Sequence, residues 1–275
     1  MRFALPLIAA LAAAPALAEE TPLTLSEGIA ATLNMPEGAG PFPAVLMLHG
    51  FGSSRDEVGG MFAMEAAALA EAGIASLRID FRGFGQSGGD TGHHTVDRQN
   101  EDAEIGLSAL LATDGVDAER IGVLGFSFGG GAAIQLAAAR SEVKSLVTWS
   151  SVGDYDTDFL QSMGQETFDR AADQGIVGLD LGWRTMALKD TFFASLSQHN
   201  ILAALAQYSG PFLGITGSED YYTMYSTPMA GAAAGADVEA VVIDGADHIF
   251  NVFDADATSA EQVITQTTER FASTL

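Results

Sequence analysis

The chain has 275 residues, a formal charge of −24 and no cysteine. That charge repels phosphate backbones and anionic lipid surfaces, and no basic patch offsets it, so nucleic acid is a poor partner. Without cysteine there is no disulfide, no thiol nucleophile and no thiolate metal site, and stability must come from packing.

The first stretch, "MRFALPLIAALAAAPALAEE", places Arg2 ahead of an apolar run that ends in Ala16, Leu17 and Ala18, the A-x-A pattern of a secretory cleavage site. A signal peptide is expected over 1–18, with export to the periplasm or the medium. The rest, 19–275, has the size of one α/β domain. No later segment reaches the roughly 18 consecutive apolar residues of a membrane span, so stable membrane insertion is not expected.

Six short apolar runs follow, at Ala44–Gly50, Ile74–Asp80, Ile121–Ser127, Val143–Ser150, Phe212–Gly217 and Val238–Gly245. Near-continuous apolar runs of this length predict strands covered on both faces. Between them, Val58, Phe62 and Leu69, then Ala103, Leu107, Leu110 and Leu111, recur at helical spacing. The alternation predicts an α/β fold with a mostly parallel central sheet and helices on both faces, whose ligands sit at the C-terminal strand ends. One interval breaks the rhythm: residues 151–208 form an inserted cap in this reading, rich in apolar side chains such as Phe159, Trp183 and Phe192.

"GFSFG", residues 125–129, matches G-x-S-x-G, in which a serine sits on a sharp turn from strand to helix. The pattern alone recurs by chance, and its placement between a strand-like run and a helix-like one carries the argument for Ser127 as a nucleophile. A serine hydroxyl needs a base, and that base needs a carboxylate to orient it. Of five histidines, His49 ends the first run, His93 and His94 lie in a loop, and His199 is in the cap. His248 follows the last strand-like run and is the expected base. Asp220, after the run in "GITGSEDYY", is the expected acid, with Glu219 as its neighbouring alternative and Asp244 and Asp247 as weaker ones. The backbone N–H groups of Phe51, in "LHGFGSS", and of Phe128 are the expected oxyanion donors. His49 is then a turn-stabilising residue.

Two patterns imitate other sites. "GFGQSG", residues 83–88, matches G-x-G-x-x-G, but no helix starts where a pyrophosphate would need one. "DYDTD", residues 154–158, imitates a calcium loop, yet Phe159 replaces its glycine and Gln165 its final glutamate, so these read as solvated carboxylates.

Taken together, "HGFGSSRDE", "RIDFRGFGQSGG", "GFSFGG", "GSED" and "GADH" resemble the α/β-hydrolase family over nearly the whole mature chain. The pattern is most similar to serine esterases of the cinnamoyl/feruloyl esterase and dienelactone-hydrolase-like branches. The resemblance implies an α/β-hydrolase fold with a cap after the sixth strand. It also implies a serine carboxylesterase acting on small acyl or aryl esters through an acyl-enzyme on Ser127, with no metal and no cofactor required. Acyl transfer and peptide hydrolysis on the same fold are alternatives, and a non-catalytic binding module is a third.

Overall fold

A computed structural model describes residues 19–275; the expected signal peptide lies outside the described residues. The chain enters through an antiparallel pair, β1 (Glu19–Thr24) and β2 (Ala30–Met35), followed by β3 (Phe42–Leu48), α1 (Met61–Glu71), β4 (Ala75–Ile79) and α2 (Val96–Leu111). Next come β5 (Val116–Phe126), α3 (Phe128–Ala139) and β6 (Val143–Trp149). A long excursion then holds α4 (Tyr155–Met163), α5 (Gln165–Gln174), the hairpin β7 (Ile176–Asp180) and β8 (Thr185–Lys189), α6 (Asp190–Leu196) and α7 (Ile201–Leu205). The chain closes with β9 (Phe212–Gly217), α8 (Ser226–Ala232), β10 (Val238–Ile243) and α9 (Thr258–Thr274).

The main sheet has the order β1-β2-β4-β3-β5-β6-β9-β10. From β4 to β10 every pairing is parallel, while β1–β2 and β2–β4 are antiparallel. The six strands expected from the apolar runs are thus β3, β4, β5, β6, β9 and β10. The hairpin β1–β2, which extends the sheet at its edge, was not expected.

The buried residues divide between the two faces of the sheet. Successive strand side chains point to opposite sides, so Val45 and Met47 join one cluster with Phe62 and Leu69 of α1 and Val263 and Phe271 of α9. Leu46 and Leu48 join the other, with Leu107 of α2 and Ile134 of α3. Helices on both faces explain why the strands are apolar at nearly every position. The arrangement also brings the loops after β3, β5, β9 and β10 to one edge of the sheet, their C-terminal end.

Candidate active site

A single residue joins β5 to α3. Ser127 has φ +53° and ψ −118°, a strained conformation for a residue with a side chain. Its neighbours show how the strain is held. The Ser127 N–H donates to the Trp149 carbonyl at 2.8 Å, and its own carbonyl accepts from Gly130 N–H at 3.0 Å and Val152 N–H at 3.2 Å. A Cβ on Gly125 would collide with the Gly129 carbonyl and lie 2.7 Å from the Ala133 Cβ; one on Gly129 would collide with the carbonyl oxygens of Leu48 and His49. Both glycines of the pattern are therefore required by close packing of α3 on the ends of β3 and β5.

The parallel neighbours β9 and β10 deliver two further side chains to this turn. His248, in the loop after β10, has its Nε2 3.2 Å from Ser127 Oγ, and its Nδ1 lies 3.1 Å from both carboxylate oxygens of Asp220. The Asp220 side chain is 1% exposed and also accepts from the Tyr222 N–H at 3.1 Å. Glu219 points to solvent, as does Asp244, and Asp247 accepts from the N–H groups of Ile249 and Asn251 in its own loop. Of the acidic alternatives, only Asp220 meets the imidazole. The His248 ring is flanked by Phe126 and Tyr222, each with centroids 5.1 Å away.

His49 has no access to the serine. Its Nε2 accepts from the Phe81 N–H at 3.0 Å, which leaves the proton on Nδ1, donated to the Gly50 carbonyl at 2.7 Å. Burial lowers its pKa to about 4, so the ring is neutral at pH 7. Within a trans peptide the C=O and N–H point in opposite directions, so fixing the Gly50 carbonyl also fixes the Phe51 N–H. Neither the Phe51 nor the Phe128 N–H donates to any protein group among the described residues. His93 and His199 pair with Asp90 and Asp97. His94 is buried among aromatic rings, and burial lowers its pKa to about 3.

The glycine-rich segment 83–88 wraps a carboxylate. Asp80 Oδ2 accepts from Gln86 N–H at 2.7 Å and from Arg55 Nη1 at 2.5 Å, and a Cβ on Gly85 would collide with the Asp80 carboxylate. The acidic segment 154–158 requires a correction. Asp154 caps α4 by accepting from the Thr157 N–H, but Asp158 is 1% exposed and accepts from the Tyr225 hydroxyl at 2.6 Å and from the N–H groups of Gly153 and Asp154. It is a buried tie between α4 and the Asp220 loop rather than a solvated carboxylate. Glu57 is buried against the loop that carries Phe51, a placement without a signature in the sequence. Its polar surroundings, Ser-Ser-Arg-Asp, carried no signal of burial.

A model of the alpha/beta hydrolase family matches residues 45–261. An uncharacterized 31.7 kDa protein of the traX-finO intergenic region of Escherichia coli is 37% identical over 132 residues, 48% of this chain and 45% of that protein. Esterase EstD of Thermotoga maritima is 34% identical over 116 residues, 40% of this chain and 27% of the esterase. These matches span less than half the length of either relative. Among solved structures, Est1E from Butyrivibrio proteoclasticus with ferulic acid bound superposes with a TM-score of 0.69 at 21% identity, over 89% of this chain and 96% of that one. The strand order, the turn at Ser127 and the extent of the family match lead to one conclusion: the chain belongs to the alpha/beta hydrolase family.

Proposed function

We propose that the chain is a serine carboxylesterase that cleaves small acyl or aryl esters. The observation that carries this reading is the hydrogen-bonded series Ser127 Oγ, His248, Asp220 at a strained strand-to-helix turn. The names of its relatives point the same way: one is an esterase, and a solved structure of the same fold holds an aromatic carboxylic acid.

In this mechanism His248 Nε2 takes the Ser127 proton as Oγ attacks the ester carbonyl. Asp220, almost fully screened from water, stabilises the imidazolium that forms and holds the ring with Nδ1–H toward it. The carbonyl oxygen gains negative charge, which the N–H groups of Phe51 and Phe128 stabilise without any change of protonation. His248 then protonates the leaving alcohol, and a water activated by the same nitrogen releases the acid. The proton transfer from Ser127 to His248 runs along hydrogen bonds that exist before substrate binds, so it needs little reorganisation.

Export belongs to the same proposal. Cleavage after Ala18 would leave Glu19, the first residue of β1, as the new N-terminus, and would keep the Glu20 carboxylate on Arg78 at 2.7 Å. The N-terminal sequence of the protein recovered from a secreting host tests this, and an intact Met1 would overturn it.

The catalytic reading is tested with p-nitrophenyl esters from acetyl to long acyl chains, comparing the protein with its Ser127→Ala variant. Hydrolysis that disappears in the variant supports it. Absence of activity on every ester would overturn it.

A further inference from the structure

Glu57 has an unusual set of surroundings for a surface-loop residue. It is 7% exposed, and no Lys, Arg or His pairs with it among the described residues. Its Oε1 accepts from the Gly50 N–H at 2.5 Å; its Oε2 accepts from the Ser53 hydroxyl at 2.5 Å and the Val58 N–H at 3.1 Å. Its backbone has φ +59° and ψ 179°, a conformation that side chains rarely adopt. A buried, unpaired carboxylate on a strained backbone is costly, and such costs persist where the surroundings require the group. Burial pushes this carboxyl up to about 7, against the hydrogen bonds from Ser53, Gly50 and Val58 and the nearby charge of His248.

What the carboxylate holds is the loop beside the serine. Gly50 lies between the Glu57 carboxylate and the Phe126 ring, and a Cβ there would be 3.1 Å from Oε1 and 3.0 Å from the ring. Phe126 in turn faces His248. The Gly50 residue is thus gripped at both ends: its N–H by Glu57 and its carbonyl by His49. The peptide that follows carries the Phe51 N–H.

We infer that Glu57 is a positioning residue whose carboxylate pins the Gly50 amide, so that the Gly50–Phe51 peptide presents its N–H to the developing oxyanion. The assignment rests on the esterase reading above. Glu57 touches no reacting atom in this role and acts only through Gly50.

The test compares Glu57→Ala and Glu57→Gln with the unaltered protein in p-nitrophenyl acetate hydrolysis, with active sites counted by a fluorophosphonate. Losing the grip on one oxyanion donor should lower kcat per active site by about 100-fold in Glu57→Ala, with KM within about threefold. Glu57→Gln keeps an acceptor for the Gly50 N–H and should recover to within about tenfold of the unaltered protein. Affinity for a trifluoromethyl ketone, whose adduct places an oxyanion in the site, should fall in parallel with kcat, while affinity for acetate stays. A lowered thermal midpoint with unchanged kcat per active site would reduce Glu57 to a loop brace and overturn the assignment alone. An unaltered protein that hydrolyses no ester would overturn the esterase reading and this assignment with it.

Discussion

The rings of Phe51 and Phe128 meet edge to face with centroids 5.7 Å apart, although one residue follows β3 and the other opens α3. Both also pack on Phe159 of α4, at 5.1 and 5.0 Å, and on Phe192 of α6, at 5.5 and 6.1 Å, and those two lie 5.3 Å from each other. Four rings in mutual contact thus join the segment between β6 and β9 to the two residues proposed as oxyanion donors.

The first prediction follows from that cluster. Phe159 is 4% exposed, so Phe159→Ala should cost about 3 to 5 kcal/mol in urea unfolding, the usual loss for a buried phenylalanine. The cavity left beside Phe51 and Phe128, the proposed oxyanion donors, should shift the p-nitrophenyl ester profile toward longer acyl chains. A less stable variant with the original profile would place the acyl group elsewhere.

Asp220, the proposed acid partner of His248, gives a second prediction. Asp220→Asn retains the shape but removes the charge that favours imidazolium, and with its oxygen held by the Tyr222 N–H it turns an amide donor toward Nδ1, which favours the wrong tautomer, so kcat should fall by about 10⁴. Glu219, one residue away and exposed, should tolerate Gln with activity within about twofold, as surface substitutions usually do. Steady-state kinetics of the two variants decide between them, and the reverse ranking would move the assignment to Glu219.

Legibility in the sequence followed burial. The six central strands are covered on both faces, and such strands write their position as apolar runs. The edge strand β1 carries Pro22, tolerated at an edge, and neither it nor β2 has a comparable run. The hairpin β7–β8 is half-exposed and short, and its residues merged with the helical stretches around it. Ser127, Asp220 and His248, proposed as catalytic, stood out in the sequence because each lies within a few residues of the end of a legible strand. Glu57 and Asp158 did not, since their burial depends on partners that only the folded chain supplies: for Asp158, Tyr225 in the segment after β9.

A third prediction concerns the turn itself. Gly129→Ala puts a methyl group against the carbonyl oxygens of Leu48 and His49, and relief requires α3 to withdraw from the end of β3. The Phe128 N–H would move with the helix, and the loop carrying Phe51 with the strand. The variant should lose activity by at least about 100-fold even where it folds, as expected when an oxyanion donor is displaced. Circular dichroism and fluorophosphonate labelling separate the two effects, and near-normal kcat in a folded Gly129→Ala protein would contradict this account of the turn.

A fourth prediction uses His94, whose ring is packed between Phe84, at 4.7 Å, and Phe192, at 5.9 Å, with both nitrogens buried and without a partner among the described residues. Burial, with the nearby charges of His49 and Arg98, lowers its pKa from 6.5 to about 3. In the unfolded chain it titrates near 6.5, so between these values the unfolded state binds a proton that the folded state excludes. Its contribution to stability is therefore complete above pH 6.5 and is lost as pH falls toward 3, by about 1.4 kcal/mol per unit. His49 adds a loss of the same sign, while Asp102 and Glu57, with carboxyls raised to about 6 and about 7, change stability in the opposite sense. The informative quantity is therefore the difference between His94→Phe and the unaltered protein, in which the other groups cancel. Urea unfolding at pH 7, 6, 5 and 4 should show that difference moving in favour of His94→Phe with each step below 6.5. A difference that stays flat across the series would mean that His94 is protonated in the folded protein as readily as in the unfolded chain, and that the aromatic cage does not exclude its charge.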